Sequence, residues 1–156
     1  MSNNKFIADC MLGKLARWLR ILGFDTQYVR YLADAQLLAQ ARYQNRILLT
    51  KDTLLYKKAK NLGYLVRSVT VEKQINEILH HFQLHPHLSL TRCPHCNIPL
   101  EIPSQKDQIP WAPLYVLRSF SDIKVCPRCN QTFWPGTHWK NIIKKLESLD
   151  LGFDEK

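Results

Sequence analysis

The sequence predicts an α/β fold: a parallel sheet covered by helices on both faces, followed by a small cysteine-bearing module. Three observations predict it. Short apolar runs alternate with helix-periodic stretches from residue 6 to about 82. The segment His85-Pro86-His87 then interrupts the alternation and reads as a linker. Behind it lie two cysteine pairs and most of the prolines. The chain therefore divides into residues 1–84 and 91–149.

Each element has its own reason. Phe6-Ile7-Ala8 reads as a buried strand. Leu12, Leu15, Ala16, Leu19 and Leu22 mark one face of a helix, and Gly23 stands where a left-handed cap is wanted. Residues 26–29 suit a short second strand. Asp34 is placed to N-cap a helix with Leu37, Leu38 and Ala41 on its inner side. Ile47-Leu48-Leu49-Thr50 reads as another buried strand, leading to a helix from about Leu54 to Leu62 closed by Gly63. Tyr64-Leu65-Val66 reads as a strand, and Ile75, Ile78, Leu79 and Phe82 mark a further helix. Strand and helix alternating in this order is the pattern of a parallel sheet with helices on both faces. A final helix is expected from about Thr137 to Leu149.

Composition narrows the function classes. With 46% hydrophobic and 22% charged residues the chain is globular and not disordered. Lys14, Arg17 and Arg20 break up the longest leucine-rich segment, so no stretch reaches the length of a membrane span. The N-terminus lacks the pattern of a signal peptide, and the expectation is a soluble, cytoplasmic protein. The net charge of +9 favours polyanionic partners, nucleic acid above all. Residues 1–90 hold 13 lysines and arginines against 6 acids, and residues 91–156 hold 9 against 7, so the basic excess belongs to the first part.

Cys93-Pro94-His95-Cys96 and Cys126-Pro127-Arg128-Cys129 are two matched knuckles separated by 29 residues. Two thiolates three positions apart on a tight turn can bond one ion, and two such turns complete a tetrahedron, the arrangement of a zinc ribbon. Zinc suits four sulfurs, and a closed site makes it structural. A redox dithiol explains one pair but poorly explains two alike. His95 and His138 are substitute ligands at most. Cys10 is left over, a small residue expected to be buried.

Three aspartates suggest a second metal chemistry. Asp9 ends the first strand, Asp52 follows the strand at 47–50 with Thr50 two residues before it, and Asp34 opens a helix. Ligands of open parallel sheets bind outside the carboxyl ends of the strands. Carboxylates gathered there suit Mg²⁺ or Mn²⁺, which assist in-line attack on a phosphodiester. Lys14, Arg17 and Arg20 lie directly after Asp9 along one helix and are candidates to contact RNA phosphates. Trp134 and Trp139 are candidates for base stacking or for core.

The stretch Asp9-Cys10-Met11-Leu12-Gly13-Lys14-Leu15-Ala16-Arg17-Trp18-Leu19-Arg20 resembles the opening motif of the Mut-seven C-terminal RNase family, a PIN-like nuclease domain fused to a zinc ribbon. Leu48-Leu49-Thr50-Lys51-Asp52 is similar to its second acidic motif. Tyr64-Leu65-Val66-Arg67-Ser68 and Trp134-Pro135-Gly136-Thr137-His138-Trp139 resemble two further segments. The resemblance implies a PIN-like three-layer sandwich and metal-dependent cleavage of RNA, with Asp9, Asp34 and Asp52 as the matching acids. PIN nucleases usually place a fourth acid near the third, and here residues 53–68 contain none. The expectation is a metal-dependent ribonuclease; the alternative is an RNA-binding module that has kept the fold and lost the chemistry.

Overall fold

Phe6, Ile7 and Ala8 have no exposed surface because they form the central strand of the sheet. The computed structural model describes residues 4–87, 90–105 and 109–148. Strands β1 (Phe6–Ala8), β2 (Thr26–Tyr28), β3 (Ile47–Thr50) and β4 (Gly63–Leu65) pair in the order β2-β1-β3-β4. Every pairing is parallel, with Ala8 opposite both Tyr28 and Leu49. Helices α1 (Gly13–Ile21), α2 (Asp34–Tyr43), α3 (Thr53–Ala59) and α4 (Val71–His81) make the crossovers and the cover.

Alternate residues of a strand face opposite sides, and the two cores follow that rule. Phe6, Ala8 and Leu49 pack with Leu12, Leu15 and Leu19 of the α1 segment and with Ile75, Ile78 and Leu79 of α4. Ile7 and Leu48 pack on the other side against Leu37, Leu38 and Ala41 of α2 and Leu55 and Ala59 of α3. The result is the expected three-layer α/β/α arrangement.

Helix ends deviate from expectation in two places. Ala33, not Asp34, is the N-cap of α2, and its amide donates to Gln36 Oε1 at 3.3 Å. Asp34 is the first helical residue, where its charge still suits the positive end of the helix dipole. Helix α3 stops at Lys60, whose φ is +53°, and a short 3-10 turn (Lys60–Leu62) carries the chain to Gly63 with an ordinary φ of −104°. Gly23 does take the left-handed conformation, φ +91°, that ends α1.

The C-terminal part adds α5 (Leu114–Ser119), a two-stranded hairpin of β5 (Lys124–Val125) and β6 (Thr132–Phe133), and α6 (Thr137–Glu147). The last residue of the expected helix, Leu149, lies outside the described residues. Helix α6 reaches back to the first part of the chain. Its Leu146 is fully buried in the core beneath α1 and α4, and Ile142 packs against the same cluster. Trp139 joins Ile21 and Leu90 in a third, smaller core.

A buried polar seam holds the first knuckle to the edge of the sheet. Arg20, 8% exposed, donates through Nε to the Thr26 carbonyl at 2.7 Å and through Nη1 to the carbonyls of Pro94 and His95 at 3.1 and 2.9 Å. Asn97 accepts from the Thr26 amide at 2.9 Å and donates to Asp25 Oδ1 at 2.7 Å. Asp25 also takes a two-pronged ion pair from Arg46 at 2.7 and 3.2 Å. Burial alone would raise the Asp25 carboxyl, but hydrogen bonds from Arg46 and Asn97 outweigh it and hold the group below its usual 3.8. Burial in turn lowers Arg20. Arg20 was expected among the RNA contacts; the structure corrects this, since its guanidinium is enclosed and committed to three carbonyls.

Asp25→Asn strands Arg46 beside an uncharged partner, and denaturant unfolding near neutral pH is expected to show a loss of about 3 kcal/mol. Because folding depresses the Asp25 carboxyl, its contribution is complete above 3.8 and disappears as pH falls through the lower folded value. The gap between variant and wild type is therefore expected to narrow below that pH, and a gap constant with pH contradicts the seam. Leu146→Ala is expected to lower stability by about 3 kcal/mol through the cavity it opens under α1, measured in the same titration.

Candidate functional site: a carboxylate rim and a cysteine cluster

The strand order reverses between β1 and β3. From β1 the chain passes outward to β2, then returns across the sheet to β3 and continues to β4. Neighbouring crossovers depart from the carboxyl ends of β1 and β3 toward opposite faces, which leaves a crevice there, the usual ligand position in open α/β sheets. Asp9 immediately follows β1, and Asp52 lies two residues beyond β3.

The two acids are tied by Thr50. Asp9 is 4% exposed, and its amide continues the ladder to the Leu49 carbonyl at 3.1 Å. Its Oδ1 accepts from the Met11 amide at 2.9 Å, capping the 3-10 turn Cys10–Leu12, while Oδ2 accepts from the fully buried Thr50 hydroxyl. The same Thr50 oxygen accepts from the Asp52 amide at 2.9 Å. Asp52 Oδ1 accepts from the amides of Leu54 and Leu55 at 2.7 and 3.1 Å, so Asp52 is also the N-cap of α3. These bonds fix both carboxylates at the strand ends.

Asp34 stands apart from that chain of bonds. Its Oδ2 is paired with Lys58 Nζ at 3.1 Å on an exposed surface. Among the described residues, Asp9, Asp34 and Asp52 do not form a group whose ligand atoms lie within 4.8 Å of one another. An open cleft of about 760 Å³ is lined in part by Cys10, Met11, Lys14 and Lys51, the sequence neighbours of Asp9 and Asp52, with neither carboxylate on its wall. Cys10 is exposed beside it, contrary to the burial expected. Lys14 and Arg17 are exposed along α1, unlike Arg20.

The four cysteines do converge. Cys93, Cys96, Cys126 and Cys129 are the one group of three or more His, Cys, Asp or Glu among the described residues with all ligand atoms within 4.8 Å of one another. Cys93 Sγ and Cys129 Sγ are 3.8 Å apart. That is too far for a disulfide. It is the spacing of two sulfurs at tetrahedral corners about 2.3 Å from a zinc ion. The donor set, four soft sulfurs and no open position, fits structural zinc. Burial pushes the Cys93 thiol up to about 12 and raises Cys96 as well, whereas at Cys126 hydrogen bonds from the Cys129 and Arg128 backbone outweigh burial and lower the thiol.

The two knuckles are near copies in backbone as well as sequence. Asn97 and Asn130 follow the second cysteine of each, with φ of +63° and +56°. Their amides return to the carbonyls of Cys93 and Cys126 at 3.0 and 2.9 Å. Asparagine tolerates this left-handed turn better than most residues. The sequence reading passed over this asparagine in C-P-x-C-N, although its repetition was visible. It also passed over the seam built on Arg20, although Arg20 lies on the same helical line as Leu12 and Ala16.

The structure thus joins a three-layer α/β/α sheet, with Asp9 and Asp52 at the carboxyl ends of two neighbouring strands, to a four-cysteine cluster that could hold a zinc ion. The chain belongs to the family described as the Mut7-C RNAse domain, whose model matches residues 4–146. That span takes in the sheet, the three aspartates and both knuckles, and the description implies RNA as the substrate class. No curated protein and no solved structure matched the chain. No helix among the described residues is long and apolar enough to cross a membrane.

Cys93→Ser is expected to reduce bound zinc from one ion per chain to none and to lower the melting temperature, read by metal analysis and circular dichroism. Cobalt added to the zinc-free protein is expected to give the intense visible absorption of a tetrathiolate site. A stable, metal-free wild-type protein would contradict the assignment.

Proposed function

We propose that the chain hydrolyses RNA phosphodiester bonds with the aid of Mg²⁺ or Mn²⁺. The observation that supports this reading is the Asp9–Thr50–Asp52 network at the switch point of the sheet. The donor chemistry fits: carboxylate oxygens are what hard divalent cations prefer, and an oxygen already accepting one hydrogen bond retains a lone pair. Asp9 and Asp52 would hold the ion. Asp34 is restrained by an exposed ion pair worth about 0–1 kcal/mol, little resistance to joining them. A bound cation would offset the charge on the phosphodiester under attack.

The protein's own groups do the remaining work. Thr50 fixes the rotamer of Asp9 and the backbone of Asp52 at once. Lys14 beside the rim and Arg17 one turn further along α1 hold phosphates without reading sequence. The surplus of positive charge in residues 1–90 draws the strand to an edge that is locally acidic.

A second reading is an RNA-binding module without catalysis. The pairing of Asp34 with Lys58 favours it, as does the lack of any acid in residues 53–68. Two measurements separate them. Asp9→Asn preserves shape and removes charge, so Mn²⁺-dependent cleavage of labelled RNA is expected to fall by roughly two to three orders of magnitude with the circular dichroism spectrum unchanged. Undiminished cleavage by the purified variant overturns the assignment. In calorimetric titration with Mn²⁺, the nuclease reading expects heat in the wild type that Asp9→Asn abolishes, and the binding-module reading expects no carboxylate-dependent heat.

A further inference from the structure

Between α1, the first knuckle and the start of α6 lies a cavity of about 370 Å³, away from the carboxylate rim. Trp134 and Tyr115 line it as aromatic walls, and Arg17 reaches it from α1. Tyr115 is 62% exposed, so its ring is accessible from solvent. Arg17 has no ion pair or hydrogen bond among the described residues. Thr132 also lines the cavity, although its hydroxyl is itself enclosed, without a hydrogen-bond partner among the described residues. The space is large enough for a small ligand.

The wall is built by the Trp134-Pro135-Gly136-Thr137-His138-Trp139 segment. Gly136 caps α6 with no side chain to satisfy the first amides of an 11-residue helix. A β-carbon at Gly136 would meet Trp134 Nε1 at 2.7 Å. Glycine is what allows the indole to lie against the helix start. Trp139, by contrast, is 8% exposed and belongs to the core with Ile21 and Leu90. Both tryptophans of the motif line the cavity, and Trp139 does so while packing in that core.

Aromatic faces, a guanidinium unpaired among the described residues and the uncapped start of a helix together match a single nucleotide: a base to stack and a phosphate to pair. We infer that this cavity holds one unpaired nucleotide of an RNA strand, stacked on Trp134 or Tyr115 with its phosphate at Arg17. The inference rests on RNA as the ligand class of the proposed function, but not on catalysis. Because Arg17 sits one helical turn beyond Lys14, the same strand continues along α1 toward the cleft lined by Lys14, Cys10 and Lys51.

The test uses the full-length, zinc-loaded protein without added Mg²⁺ or Mn²⁺, so that binding is read apart from cleavage. Anisotropy of a fluorescein-labelled oligouridylate is expected to show affinity roughly tenfold weaker in Tyr115→Ala and in Trp134→Leu, the loss of one base–aromatic stack, with affinity for a fully paired duplex unchanged. Arg17→Ala is expected to reduce the salt slope by about one. Irradiated 5-bromouridine in the strand is expected to crosslink to Trp134 or Tyr115. Tyr115 is exposed, so its variant keeps the test valid if Trp134→Leu loses zinc. Unchanged single-strand affinity in Tyr115→Ala together with absence of the crosslink overturns the inference, as does binding of uridine monophosphate without binding of the strand. Intact pocket binding by a protein that cleaves nothing would remove the nuclease reading and leave this one standing.

Discussion

Everything in the first part of the chain depends on β1 being paired on both sides. Its three residues are fully buried, and parallel partners flank it in β2 and β3. A strand so placed must send its successor outward, and the chain must later cross back, so the reversal of order follows from burying β1 at all. Asp9 inherits its position from that constraint. The ladder bond from its amide to Leu49 extends the sheet by one residue, and the polar side chain emerges where pairing stops. Thr50 then converts two separate strand ends into one hydrogen-bonded unit.

Much of this was legible because the core residues follow simple periods. The leucines of α1 and the isoleucines of α4 fall at helical spacing, and the short apolar runs are the strands. The knuckles were legible because thiolate spacing is a covalent rule of metal binding. What the sequence hid is pairing between distant polar groups. Asp34 invited the N-cap role, but Ala33 occupies that position and Asp34 turns to Lys58, twenty-four residues away. Gly63 looked like a helix stop, yet the positive φ falls on Lys60. Arg20 looked like part of a basic stripe and is a buried clamp. For Asp34 and Arg20 the deciding partner lies on another element, and no local pattern announces it.

The clamp changes how the ribbon should be understood. A metal-bound module of this size usually gains little from a core of its own. Here its first knuckle presents backbone carbonyls to Arg20 and an asparagine side chain to Asp25, so the cysteine cluster and the edge of the sheet brace each other. The knuckle geometry, set by sulfur, fixes where those carbonyls point. The guanidinium, set by α1, fixes where the knuckle sits. Such mutual bracing is a way to hold a polar interface without a large apolar one.

The burial of Leu146 carries a consequence for biosynthesis. The layer beneath α1 and α4 contains residues from the first half of the chain and one from near its end. A ribosome that has released only the sheet and its helices has made a core with one wall missing. Completion of the native packing therefore waits on the synthesis of α6, and until then the apolar floor of that layer is open to whatever else in the cell can cover it.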